Sequence, residues 1–188
     1  MRECRQMRTA PAQFHTREEG NDLYIEGYFA VFNGLYELWD GASETIAPGA
    51  FSDTLGGDIR ALIDHESRLV LGRTTAGTLE LREDETGLWG RVRINQSDQD
   101  AMNLYERVRR RDVDQCSFGF DILDEETETR ENGDIKWTIK KVELYEVSVV
   151  TFPAYKDTSV SARKRDYDEI QKRKTEAWRE AMRKKVKG

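Results

Sequence analysis

Only two histidines occur in the chain, His15 and His65, and that scarcity limits which residues can move protons. His65 ends an apolar run in which Ile59, Ala61 and Ile63 share one face of a strand, and it falls on the same parity, between Asp64 and Glu66. Ser117 lies in Cys116-Ser117-Phe118-Gly119-Phe120, where Cys116, Phe118, Phe120 and Ile122 take one face and Ser117, Gly119 and Asp121 the other. A small hydroxyl next to a glycine leaves space around its oxygen, which a nucleophile approached by a peptide carbonyl needs. Glu146 sits in Val142-Glu143-Leu144-Tyr145-Glu146-Val147-Ser148-Val149-Val150, on the parity of Val142, Leu144, Ser148 and Val150. A carboxylate on an apolar face is costly to bury without a partner, and an imidazole would serve. Each residue also has an ordinary reading: a strand-end surface histidine, a solvent-facing serine, an edge-strand glutamate. Together they fit a relay in which the histidine takes the hydroxyl proton and the carboxylate orients the histidine. Cys116, in step with two phenylalanines, reads as a buried, inert thiol, although a cysteine hydrolase using it is the rival nucleophilic reading.

The elements that must hold these residues are mostly strands. Leu23 to Val31 alternates with a period of two in aromatic and β-branched types. Ile59–Ile63, Leu69–Gly72, Thr78–Arg82, Leu88–Ile94, Gln115–Leu123 and Lys136–Phe152 carry similar signals, the last two separated by an acidic turn at Asp124–Asp134. Pro48–Leu55, with proline in its first turn, suggests a short helix. Ser97-Asp98-Gln99-Asp100 reads as a capping box before a helix bearing Ala101, Leu104, Tyr105 and Val108, with Arg107 to Arg111 complementing its dipole. The segment Lys164–Lys187 places Ile170, Ala177, Trp178, Ala181 and Met182 on one helical side among dense charge. The expected fold is mostly β with flanking helices, an α+β barrel or folded sheet. Its expected organisation is a polar N-terminal segment with a first strand at 1–21, a main domain at 22–163 and a basic, helical tail at 164–188.

Composition narrows the chemistry further. The 188 residues are 37% apolar and 35% charged, and no stretch approaches the roughly 18–20 apolar residues of a membrane helix. Two cysteines, Cys4 and Cys116, make no disulfide framework, and the N-terminus shows no secretory signal, so a reducing cytosol is expected. The Cys and His spacing matches no zinc pattern, and no metal or other cofactor is expected. From Arg163 to Gly188 there are eleven Lys/Arg and five Asp/Glu, net +6; with a total of −6, the other 162 residues carry −12. An acidic body and the lack of a recognition motif argue against nucleic-acid binding as the main function.

The setting of the three residues resembles a known family. Gly27-Tyr28-Phe29-Ala30-Val31-Phe32-Asn33 and Glu44-Thr45-Ile46-Ala47-Pro48-Gly49-Ala50-Phe51 look like the opening of the HK97-family prohead proteases of tailed bacteriophages. Asp64-His65 with Leu71-Gly72-Arg73-Thr74 and Gly77-Thr78-Leu79 resembles that family's histidine block, Cys116–Phe120 its serine block, and Glu146–Tyr155 its closing block. The blocks run in family order over residues 22–163.

That resemblance implies a serine endopeptidase that acts inside an immature phage shell in the host cytoplasm. Its implied substrates are scaffold protein, the scaffolding arm of the major capsid protein, and itself. It implies a β-barrel like that of herpesvirus assemblin, with the family's histidine on His65 and its serine on Ser117. Assemblin's third member is a second histidine, and this chain has none after Ser117. Glu146 on the matching strand is the expected third member, with Glu143 or Asp64 as fallbacks. Backbone N–H groups or Arg163 are the candidate oxyanion donors. A homo-oligomer is a possible state. An inactive assembly or scaffold component with the same barrel is the alternative function.

Overall fold

Strand-forming sequence dominates the chain, and the computed structural model, which describes residues 6–11, 14–130, 132–152 and 156–187, is mostly β with two α-helices. In chain order the strands are β1 (Gln6–Pro11), β2 (His15–Glu19), β3 (Asp22–Val31), β4 (Tyr36–Trp39), β5 (Ala42–Ile46), β6 (Arg60–Ile63), β7 (Glu66–Arg73), β8 (Leu79–Glu83), β9 (Gly87–Ile94), β10 (Gln115–Thr129) and β11 (Ile135–Val150). A single 3-10 turn, Thr74–Ala76, links β7 to β8; the helices are α1 (Gln99–Arg110) and α2 (Lys156–Lys187). The chain divides into two compact units, Met1–Tyr155 and Lys156–Gly188.

Two sheets make up the first unit. One is the antiparallel sheet β2-β3-β9-β8; the other runs β1-β10-β11-β5-β4, with β6 also on β11 and β7 on β6. The length of β11 makes this branching possible. Its first part, Ile135–Ile139, lies parallel to Ala42–Ile46 of β5, and its last part, Glu146–Val149, lies parallel to Arg60–Ile63 of β6. One hydrophobic cluster is shared by both sheets and α1. It joins Phe29, Leu88 and Val92 from one sheet to Phe118, Phe120, Val147 and Val149 from the other, with Leu104, Tyr105 and Val108 from the helix. Each large side chain buried this way contributes about 1.5–3 kcal/mol. Gly72 of β7 lets the sheets approach, because a Cβ there would lie 2.8 Å from the Thr78 carbonyl oxygen and 3.0 Å from Val92 Cγ1.

Several expectations from sequence need correction. Pro48–Leu55 is a run of tight turns, not a helix: Gly49 has φ +87°, outside the helical basin, and Glu83 Oε1 accepts from the Phe51 N–H at 2.9 Å. The cap of α1 is Asp98 rather than Ser97; its side chain accepts from the N–H groups of Asp100 and Ala101. Residues 124–129 continue β10 instead of forming a turn, paired with β11 between Ile135 and Lys141, and Glu126 lies 2.5 Å from Lys140. The segment 1–21 holds two strands where one was expected, and Tyr36–Trp39 and Ala42–Ile46, with no signal read from them, are strands too. Among the described residues no closed ring of paired strands forms; the strands stay in two sheets.

Candidate active site

The register of β10 against β11 decides which side chains meet. Cys116 pairs with Val149, Ser117 with Ser148, Phe118 with Val147 and Gly119 with Glu146. Directly opposed residues of an antiparallel pair share a face. Cys116, Phe118, Val147 and Val149 belong to the core cluster, so Ser117, Gly119, Glu146 and Ser148 occupy the opposite face. Sequence parity placed Glu146 on the side of Val142 and Leu144. A bulge overturns that: Gly119 pairs with Glu146 and Phe120 with Leu144, leaving Tyr145 as the extra residue. One additional residue reverses the alternation. Val142 and Leu144 therefore stay in the core while Glu146 turns to the face of Ser117.

His65 reaches that face from a different strand. Ile63 pairs with Val149 in the parallel ladder and with Glu66 in the β6–β7 hairpin, so Asp64-His65 forms a two-residue turn. Both residues have positive φ, 49° and 61°, as in a type I′ hairpin turn. Non-glycine residues adopt this conformation at a cost of order 1 kcal/mol each, Asp and His more readily than most. The turn is fixed by the Asp64 N–H donating to the Val149 carbonyl at 3.0 Å. The Asp64 carboxylate in turn accepts from the Thr151 N–H at 2.7 Å and its hydroxyl at 3.3 Å.

The result is a chain of polar contacts. His65 Nδ1 lies 2.7 Å from Glu146 Oε1, and Ser148 Oγ donates to Glu146 Oε2 at 2.6 Å. A carboxylate only accepts, so Nδ1 carries the proton and Nε2 of the neutral ring presents a lone pair. Glu146 is 4% exposed and Ser117 and Ser148 have no exposed surface. Both carboxylate oxygens are thus satisfied inside the protein, which offsets the cost of burying the charge. His65 Nε2 and Ser117 Oγ are buried without a hydrogen-bond partner among the described residues.

Glu143, Asp64 and Cys116 do not join this cluster. Glu143 is exposed, opposite Asp121 on β10. Asp64 is engaged with Thr151, not with His65. The Cys116 thiol lies on the core face, 3.4 Å and 3.3 Å from the carbonyl oxygens of Tyr28 and Phe29. Arg163 belongs to the second unit, where it lies 3.8 Å from Asp166. Among the described residues no group of three or more His, Cys, Asp or Glu side chains could hold a metal ion, and no helix is long and apolar enough to cross a membrane. Sequence reading did not single out Ser148, the buried hydroxyl bonded to Glu146. Its only signal was its place two residues after Glu146, and reading that face as apolar hid it.

One charged cluster steadies the strands that carry His65. Arg60 and Arg73 stand opposite each other across the β6–β7 pair, and Asp58 binds both. The Arg73 guanidinium holds the Asp58 carboxyl well below the usual aspartate range, with Arg60 and the Thr75 hydroxyl adding to the effect.

A family model described as caudovirus prohead serine protease matches residues 12–173. The chain is 30% identical over 150 residues to a protein named prohead protease from Enterobacteria phage HK97, covering 78% of this chain. It spans 62% of that relative's length. No solved structure matches.

Proposed function

Because the chain belongs to the caudovirus prohead serine protease family, we propose that it is a serine endopeptidase of phage prohead maturation with Ser117, His65 and Glu146 as its catalytic residues. The observation that carries this reading is the Glu146–His65 hydrogen bond of 2.7 Å. It commits Nδ1 to the carboxylate and leaves Nε2 as the base, on the side of the ladder to which Ser117 points.

In the proposed cycle Nε2 accepts the Ser117 hydroxyl proton as Oγ attacks the scissile carbonyl. Glu146 stabilises the imidazolium that forms. The tetrahedral oxyanion is held by backbone N–H groups. The imidazolium then gives its proton to the leaving amine, and water, deprotonated by the same nitrogen, resolves the acyl-enzyme. The residues supply nucleophile, base and charge stabilisation without a cofactor. The substrates are scaffold protein or the scaffolding arm of the major capsid protein, and the protease itself, inside the immature procapsid. We place the catalytic machinery in the body at 22–163 and an accessory role in the basic tail at 164–188. The assemblin-like barrel is the finer fold reading; the two sheets share one hydrophobic cluster but close no ring among the described residues.

The test is co-expression with the major capsid protein of the same phage, comparing fragments from wild type and Ser117→Ala by mass spectrometry. Wild type yields capsid-protein and self-cleavage fragments; Ser117→Ala yields neither while keeping its thermal unfolding transition. Fragments from the alanine variant would remove Ser117 as nucleophile. No fragments from either protein would favour an inactive assembly component.

A further inference from the structure

Ser148 is a buried hydroxyl that the relay does not use directly, yet it touches the relay at its far end. It lies opposite Ser117 in the β10–β11 ladder, has no exposed surface and donates to Glu146 Oε2 at 2.6 Å. Without that bond Glu146 would keep one buried carboxylate oxygen unsatisfied and could rotate about its terminal torsion, which is broad and roughly two-fold. Oε1 would then no longer be fixed towards His65 Nδ1. The bond also shares the carboxylate's charge at the moment the imidazolium forms. We propose that Ser148 is a positioning residue of the site: its hydroxyl locks the Glu146 carboxylate so that Oε1 holds the His65 ring with Nε2 turned to Ser117.

This inference rests on the assignment of Ser117, His65 and Glu146 above, and its test separates the two. The full-length chain and its variants are assayed for initial rates of cleavage of the same phage's purified major capsid protein, across concentrations that resolve kcat from KM. Hydrogen bonds to charged groups predict a loss of roughly ten- to hundredfold in kcat for Ser148→Ala, with KM within about twofold, as expected of a group that touches no substrate and acts through the orientation of His65. Ser148→Thr, which keeps the hydroxyl, recovers most of the loss. In a Glu146→Gln background Ser148→Ala adds little further loss, because residues acting through one another are not additive. A proton spectrum gives a readout independent of turnover: the His65 Nδ1–H resonance, distinguished from His15 with a His15→Gln variant, shifts or broadens in Ser148→Ala.

If Ser117→Ala is inactive but Ser148→Ala keeps wild-type kcat and an unchanged His65 resonance, the Ser148 role is refuted and the catalytic assignment stands. Losses that multiply in the double variant would also refute it, since they would mark Ser148 as an independent structural residue. If Ser117→Ala cleaves normally and Ser148→Ala does not, both readings fail and Ser148 itself is the nucleophile.

Discussion

Glu146 carries a charge at 4% exposure, and both of its oxygens are taken, one by His65 and one by Ser148. A buried carboxylate held this way sets the direction of an imidazole far better than an exposed one could, because few alternative rotamers remain open to it. Asp64 lies closer to His65 in sequence but spends its carboxylate on Thr151. The two acids therefore separate in their effects. Glu146→Gln keeps the side chain's shape but removes the charge opposing the imidazolium, and kcat for capsid-protein cleavage is expected to fall on the order of 10²–10⁴-fold, the range general acid–base catalysis contributes. Asp64→Asn preserves acceptance from the Thr151 N–H and is expected to cost about tenfold or less. Equal losses in the two variants would contradict Glu146 as the orienting acid. The base must also be neutral, since an imidazolium cannot accept the Ser117 proton.

At the scale of elements, the β6–β7 hairpin supplies His65 and is held at its open end by Asp58. Opposed arginines in a strand pair repel, and here Asp58 bridges Arg60 and Arg73, the latter through contacts of 2.6 Å and 2.7 Å. Its carboxyl is held down in the folded state, so its contribution to stability is fully present above the unfolded aspartate value of about 3.9. That contribution is lost as pH falls below it towards the folded value. Asp58→Asn is thus expected to lower the unfolding midpoint at neutral pH, with the difference from wild type shrinking as pH drops below about 4. A deficit that stays constant into acid would assign Asp58 a packing role instead. Much of this architecture was legible in the sequence, because β3, β9 and the start of β10 alternate regularly and local pattern suffices there. The bulge at Tyr145 was not legible: no proline or glycine marks it, and only the pairing of Leu144 with Phe120 and Glu146 with Gly119 shows it. Glu146 was selected from a parity that the bulge reverses, and it reaches the Ser117 face because of that reversal. The turns after Pro48 were misread for a related reason, since helix-forming residues there are overridden by Gly49 at positive φ and by Glu83 binding Phe51.

At the scale of the whole molecule, charge divides the chain. Residues 163–188 carry net +6 and the other 162 residues −12. The helix α2 is stitched along its own surface by Glu169–Arg173 and Glu180–Lys184 pairs, each worth only a few tenths of a kcal/mol in such exposed positions. Trp178 and Met182 are 61% and 40% exposed. A long basic helix with exposed apolar residues is better suited to binding an oppositely charged partner than to building a core. We read it as the segment that docks on scaffold during assembly, separate from the residues that cut. A chain truncated after Arg163 is then expected to cleave purified capsid protein at the full-length rate but to enter proheads several-fold less efficiently, as measured by immunoblot of isolated particles. Incorporation of the full-length chain should weaken with added salt, because exposed charges are screened beyond roughly 8 Å at physiological ionic strength. Equal incorporation of the two chains would leave the helix without a docking role. Loss of cleavage by the truncated chain on purified substrate would tie the helix to the catalytic body instead.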